Sequence, residues 1–190
     1  MRWYLARHGE TEWTLSRRHT SRTDVPLTPT GEEQARVLGV ELAGTSVDRV
    51  LSSPMDRALT TARLAGFGDR VERSDALLEL DYGQYEGLTT PEIRARRPGW
   101  DLFRDGCPGG ESVTDVARRV KPLLDVLSGS DESVVLFGHG HGLRVLAVTF
   151  LGLQPEEARH LFLDTGSVSI LGLEHDWPAI LRWNQLGRGP

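Results

Sequence analysis

Residues 133–144 read SVVLFGHGHGLR: an apolar run of strand length, a turn of alternating glycine and histidine, and the first residues of a helix expected over about 142–151. A buried strand that empties into a polar turn and then a helix is the building unit of an α/β protein. Working outward, the same unit recurs. Residues 2–7 (RWYLAR) read as a second buried strand that stops at a polar cluster. Thr28 or Thr30 is placed to cap a helix over 31–43, with Glu32 and Glu33 in its first turn. A short strand is expected at 47–51, then a helix from Pro54 to Ala65 with Ser53 as its cap. A third helix covers 112–127, where Val113, Val116, Val120, Leu123, Leu124 and Leu127 form one apolar face. Residues 167–173 and 179–185 read as two closing strands. The alternation predicts a three-layer α/β/α sandwich on a mainly parallel central sheet, as one domain over residues 1–190. In such sheets a ligand sits beyond the carboxyl ends of the strands, so the polar clusters at 7–11 and 138–144 are expected to meet at one site.

Composition narrows the function. Apolar residues make up 38% and charged residues 26% of the 190, an ordinary balance for a globular chain. The net charge of −5 argues against general affinity for nucleic acid, and no apolar run approaches the roughly 20 residues of a membrane span. The start, MRWYLARHGE, carries charges at Arg2 and Arg7 and does not read as a signal peptide. Cys107 is the only cysteine, which favours a reducing, cytoplasmic setting. Oligomeric state is left open.

Four clusters carry chemistry. In Arg7-His8-Gly9-Glu10-Thr11, a strand-end histidine suits attack on phosphorus, the arginine fork suits phosphate oxygens, and Gly9 would let the backbone approach a bound anion. In Leu51-Ser52-Ser53-Pro54-Met55-Asp56-Arg57-Ala58, a helix starts after a strand; its free N–H groups and Arg57 favour an anion, although an isolated arginine more often solvates a helix face. Within residues 79–87 (ELDYGQYEG), Glu79, Asp81 and Glu86 are candidates for the carboxyl group that protonates a leaving alkoxide and later activates water. Residues 138–144 (GHGHGLR) set two imidazoles and backbone N–H groups at a strand-to-helix turn. His139-x-His141 is also a metal-ligand spacing, but His19, His160 and His175 lack partner spacing, so no metal is expected.

These clusters, in this order, resemble the histidine phosphatase superfamily, the phosphoglycerate mutase-like proteins. The resemblance runs from Arg7 to about Arg144, with further likeness in PLT at 26–28 and GGES at 109–112. It implies the phosphoglycerate mutase-like fold, with His8 as the phosphorylated histidine and Glu79 as the acid/base carboxylate. Arg7, Arg57 and His139 then match the phosphate pocket, and Asp81 and Glu86 become structural. Three positions depart from the common pattern: Thr14 where many relatives have asparagine, Gly138 where many have serine, and Tyr85 where tryptophan is common. Segments 100–107 and 141–144 resemble a subgroup of small acid phosphatases and sugar-bisphosphate phosphatases. Within it Arg104, His141 and Arg144 are candidates for gripping the substrate beyond the transferred phosphate, with Arg144 as well suited to a structural role; Thr14, which can donate one hydrogen bond, is a further substrate-binding candidate.

The resemblance implies a phosphatase that hydrolyses small phosphorylated metabolites, sugar phosphates or similar, through phosphohistidine and without any cofactor. Two rivals stand beside it. A phosphoglycerate mutase needs enclosing structure, and only 31 residues separate Glu79 from Glu111 while the tail beyond the last strand is short. A non-catalytic phosphate-binding module fits poorly with every catalytic position filled.

Overall fold

The structure, a computed structural model, describes residues 1–187. Strand β1 (Trp3–Arg7) is followed by a short α1 (Glu12–Leu15) and by α2 (Pro29–Leu42). Strand β2 (Arg49–Ser52) leads into α3 (Asp56–Leu64) and β3 (Val71–Arg73). An excursion carries α4 (Thr90–Arg96) and α5 (Leu102–Asp105) before α6 (Val113–Ser128), β4 (Val134–Gly138) and α7 (Gly140–Phe150). Strands β5 (Ser167–Glu174) and β6 (Trp177–Leu186) complete a six-stranded sheet in the order β3-β2-β4-β1-β5-β6. Pairing is parallel from β3 to β1 and antiparallel for β5 and β6, so the mainly parallel α/β architecture is found as expected.

Successive side chains of a strand point to opposite faces, and this builds the layers. Trp3 and Leu5 of β1 join Val134 and Leu136 of β4 against Val116, Val120 and Leu124 of α6 and Leu143 and Leu146 of α7. Tyr4 and Ala6 join Val135 and Phe137 on the other face, against Leu38 and Leu42 of α2 and Ala62 of α3. Burying both faces explains why β4 reads as an unbroken apolar run. No helix among the described residues is long and apolar enough to cross a membrane.

Several element starts differ from the sequence reading. Thr28, not Thr30, caps α2, accepting from the Gly31 N–H, with Pro29 at the first helical position. Helix α3 begins at Asp56 after Met55, so Ser53 is not its cap; Ser53 turns to His139 instead. Helix α7 begins at Gly140, two residues early, with His139 extended (φ −127°, ψ 171°) as the residue before it. Glycines make poor helix starts on propensity, but here a carboxylate satisfies the first-turn N–H groups. Strand β3 and helices α1, α4 and α5 were not foreseen; each is too short to show a period in the sequence.

Candidate active site

The parallel register places three strand ends side by side. Arg7 pairs with Gly138, and Ser52 with Phe137. The chain therefore leaves β1 at His8, β2 at Ser53 and β4 at His139 on the same edge of the sheet. The His8 N–H donates to the Gly138 carbonyl at 3.0 Å and the Ser53 N–H to the Phe137 carbonyl at 2.9 Å. The imidazoles of His8 and His139 meet edge-on, with centroids 5.1 Å apart.

His8 is oriented by its own backbone. Its Nδ1 stands 2.7 Å from the Gly9 carbonyl, an acceptor only, so Nδ1 carries the hydrogen and Nε2 presents a lone pair. Burial, with Arg57 and Arg7 nearby, holds His8 well below the usual histidine range, which keeps the ring neutral. Packing also requires Gly9. A Cβ there would lie 2.2 Å from the Gly31 carbonyl oxygen, so the glycine lets the β1 turn pack on the start of α2. The Gly9 N–H donates to Thr61 Oγ1 at 3.1 Å.

Two arginines flank His8. Arg57 is fully buried and far from solvating a helix face. Its Nη1 donates to the Thr23 carbonyl at 3.0 Å and its Nη2 to the Ser21 carbonyl at 2.9 Å. Glu86 secures that loop, accepting from the Ser21 and Thr23 N–H groups, which gives it the structural role expected of it. Arg7 Nη1 donates to the Leu163 carbonyl. Burial lowers both guanidiniums from their ordinary value, while Glu79 opposes that shift in each case. His139 Nε2 lies 2.8 Å from Ser53 Oγ, and burial holds His139 neutral as well. Four buried side-chain nitrogens lack a partner among the described residues: Arg7 Nε, Arg57 Nε, His139 Nδ1 and Trp3 Nε1. The first three belong to this cluster. Nothing in the structure explains the Trp3 nitrogen.

Glu79 occupies the start of α7. Its Oε1 accepts from the Gly142 N–H at 2.6 Å and the Leu80 N–H at 2.9 Å, and its Oε2 from the His141 N–H at 3.1 Å. The N–H groups expected to be free for a bound anion are thus held by a carboxylate of the protein itself. Glu79 is 6% exposed and lines a cleft of about 650 Å³ together with Arg7, His8, His141 and Tyr82. Glu111, of the GGES segment, and Arg119 of α6 hold the loop that carries Glu79. Arg119 meets the Glu111 carboxylate at 2.9 and 3.0 Å and donates to the Ala76 and Leu78 carbonyls. Glu111 in turn accepts from the Asp81 N–H. Asp81 itself accepts from the Gly83 N–H and pairs with Arg22, a structural role.

The expected substrate-gripping residues divide. His141 lines the cleft, its Nδ1 2.6 Å from the Tyr82 hydroxyl. Thr14 lines it too, but its hydroxyl hydrogen goes to the Thr11 carbonyl and its oxygen accepts from the Thr11 N–H. It completes the capping box that Thr11 begins at the start of α1. Arg104 is absent from the cleft. Its exposed side chain pairs with Asp105 and donates to the Gly99 carbonyl, because α5 turns it outward. Arg144 lines the cleft while donating to the Ala158 and Arg159 carbonyls and lying 4.8 Å from the Phe103 ring centroid. Among the described residues no group of three or more His, Cys, Asp or Glu is arranged to hold a metal. Sequence reasoning missed Ser53 as the His139 partner, Tyr82, and the Glu111–Arg119 clamp. The GGES resemblance was the one signal that could have pointed to the clamp.

The chain is similar to known proteins over nearly its whole length. The pattern of the Histidine phosphatase superfamily (branch 1) matches residues 3–186. An acid phosphatase of Mycobacterium tuberculosis is 42% identical over 177 residues, covering 90% of this chain and 86% of its own. Sedoheptulose 1,7-bisphosphatase of Saccharomyces cerevisiae is 32% identical, covering 78% and 67%. A 2,3-bisphosphoglycerate-dependent phosphoglycerate mutase of Cytophaga hutchinsonii is 30% identical, covering 86% and 83%. A solved open reading frame product of Mycobacterium tuberculosis superimposes with a TM-score of 0.93 at 38% identity, covering 98% of both chains.

Proposed function

The chain belongs to the histidine phosphatase superfamily, and we propose that it hydrolyses small phosphomonoesters, sugar phosphates or similar metabolites, through a phosphohistidine at His8. One observation carries the reading: Arg7 Nε, Arg57 Nε and His139 Nδ1 are buried without partners around a neutral histidine whose Nε2 is bare. Buried donors left unsatisfied are costly, and a phosphate dianion satisfies all three when the Ser53 hydroxyl donates to His139 Nε2 and leaves the hydrogen on Nδ1. The acid phosphatase and sugar bisphosphatase relatives point the same way.

In this reading the phosphoryl group docks between Arg7, Arg57, His139 and His8. His8 Nε2 forms a bond to phosphorus as the ester P–O bond breaks, and protonated Glu79 passes its proton to the leaving oxygen. Oε2 is the oxygen to carry that proton, since it receives one N–H where Oε1 receives two. Ionised Glu79 then takes a proton from water as that water attacks phosphorus and the P–N bond breaks, which restores neutral His8. Positioning and preorganised positive charge supply the catalysis, with no cofactor. Of the residues expected to bind substrate, Thr14 lines the cleft and Arg104, paired with Asp105, lies outside it. A cytoplasmic setting belongs to the same reading, supported by the single free cysteine, Cys107.

The test is rapid-quench trapping of the phosphoenzyme. Wild type should accumulate acid-labile phosphate on the protein, and His8→Ala should lose both the label and turnover while keeping the fold. Retention of more than about a hundredth of wild-type activity would mean that His8 is not the nucleophile. A binding module would give no label at all. The Cytophaga relative favours one second reading, a phosphoglycerate mutase; transfer of label to added 3-phosphoglycerate in preference to water would establish it. Phosphate release from a panel of phosphomonoesters then ranks substrates.

A further inference from the structure

This inference rests on the phosphatase reading and concerns the part of the substrate beyond the transferred phosphate. Tyr82 is 2% exposed, and its hydroxyl stands 2.6 Å from His141 Nδ1 with no other partner among the described residues. A buried hydroxyl with a single neighbour places its hydrogen there. Burial also holds the phenol well above its ordinary 10 and the imidazole well below its ordinary 6.5, so Tyr82 donates and a neutral His141 accepts. The ring proton of His141 then resides on Nε2. That nitrogen has no partner among the described residues, and the ring lines the cleft beside Glu79 and Gly140. Glu79 Oε2 is 4.0 Å from Nδ1, too far for a hydrogen bond, so the phenol sets the tautomer. The His19 ring packs against the Tyr82 ring, 4.6 Å away between centroids.

We propose that Tyr82 is a positioning residue that locks His141 as an Nε2–H donor toward an acceptor oxygen on the alcohol portion of the substrate. That oxygen belongs to a hydroxyl, a carboxylate or a second phosphate.

Two-bond proton–nitrogen NMR on the whole protein reads the tautomer directly. Wild-type His141 should show a protonated Nε2 and a bare Nδ1; a proton on Nδ1 overturns the proposal whatever the kinetics. Tyr82→Phe should move the resonance toward a mixture of tautomers. It should also raise KM roughly 3–10-fold, the worth of one neutral hydrogen bond, for a polyol phosphate, a phosphorylated carboxylic acid or a sugar bisphosphate. The substrate with the largest rise identifies the acceptor oxygen. The loss should be smaller for p-nitrophenyl phosphate, which offers no such oxygen, and Tyr82→Phe should add nothing in a His141→Ala background. An undiminished effect in that background, or an equal loss on p-nitrophenyl phosphate, overturns the proposal. If Tyr82→Phe does not fold, the wild-type tautomer still decides, and His141→Ala must raise KM for the same oxygen-rich substrates. Failure of the phosphatase reading shows separately, as absence of phosphoenzyme while the tautomer remains measurable.

Discussion

Gly142→Ala sets two effects of opposite sign against each other. Replacing a glycine in a helix by alanine ordinarily stabilises by about 0.5–1 kcal/mol. At this position the new Cβ would stand 2.9 Å from the Leu78 carbonyl oxygen and 3.5 Å from Glu79 Oε1. The Leu78 carbonyl has little freedom to retreat, because it accepts from Arg119 Nη1 at 3.1 Å. The helix start and the Glu79 loop must therefore separate, which stretches the 2.6 Å bond from the Gly142 N–H to the carboxylate. Hydrogen bonds to charged groups contribute about 1.5–3 kcal/mol, more than the propensity gain. The expected balance is a net loss of about 1–2 kcal/mol, read as a lower urea midpoint at unchanged slope. Displacing Glu79 should also slow single-turnover cleavage of an alkyl phosphate about tenfold or more, while p-nitrophenyl phosphate, whose leaving group departs unaided, still labels His8. A variant more stable than wild type with intact alkyl phosphate cleavage would refute the idea that α7 must admit Glu79 so closely.

Glu79→Gln keeps the shape but moves no proton. It should depress phosphoenzyme formation from alkyl phosphates far more than from p-nitrophenyl phosphate in single-turnover measurements; equal losses would direct attention to another acid. His8 stays neutral until the pH falls through its lowered folded value, so the acid limb of kcat/KM, corrected for substrate ionisation, should have its midpoint below 6.5. A midpoint at or above 6.5 would show that burial and the two arginines do not govern His8. Activity should survive exhaustive EDTA treatment, and loss on chelation with recovery by one divalent ion would revive the His139 and His141 metal reading.

How much could be read in advance follows the range of the interactions. Strands β1 and β4 were legible because burial on both faces leaves an apolar run, and α6 because one face repeats at helical spacing. Helix α7 was placed two residues late, since the residue that satisfies its first turn, Glu79, lies 62 positions from His141. Arg104 was misplaced for a related reason: local likeness said which subgroup it resembled, but the orientation of a four-residue helix depends on what it packs against.

Residue types alone determined that this chain alternates strand and helix and gathers arginine, histidine and carboxylate at strand ends, because patterning and turn chemistry act over a few positions. Only the tertiary structure decided which nitrogen of His8 is bare, that three buried nitrogens around it lack partners, that Glu79 holds the start of α7, and that Tyr82 faces His141. Tautomers, orphaned nitrogens and carboxylate placement are set by atoms a few ångströms apart, and folding brings those atoms together from segments that lie far apart in the chain.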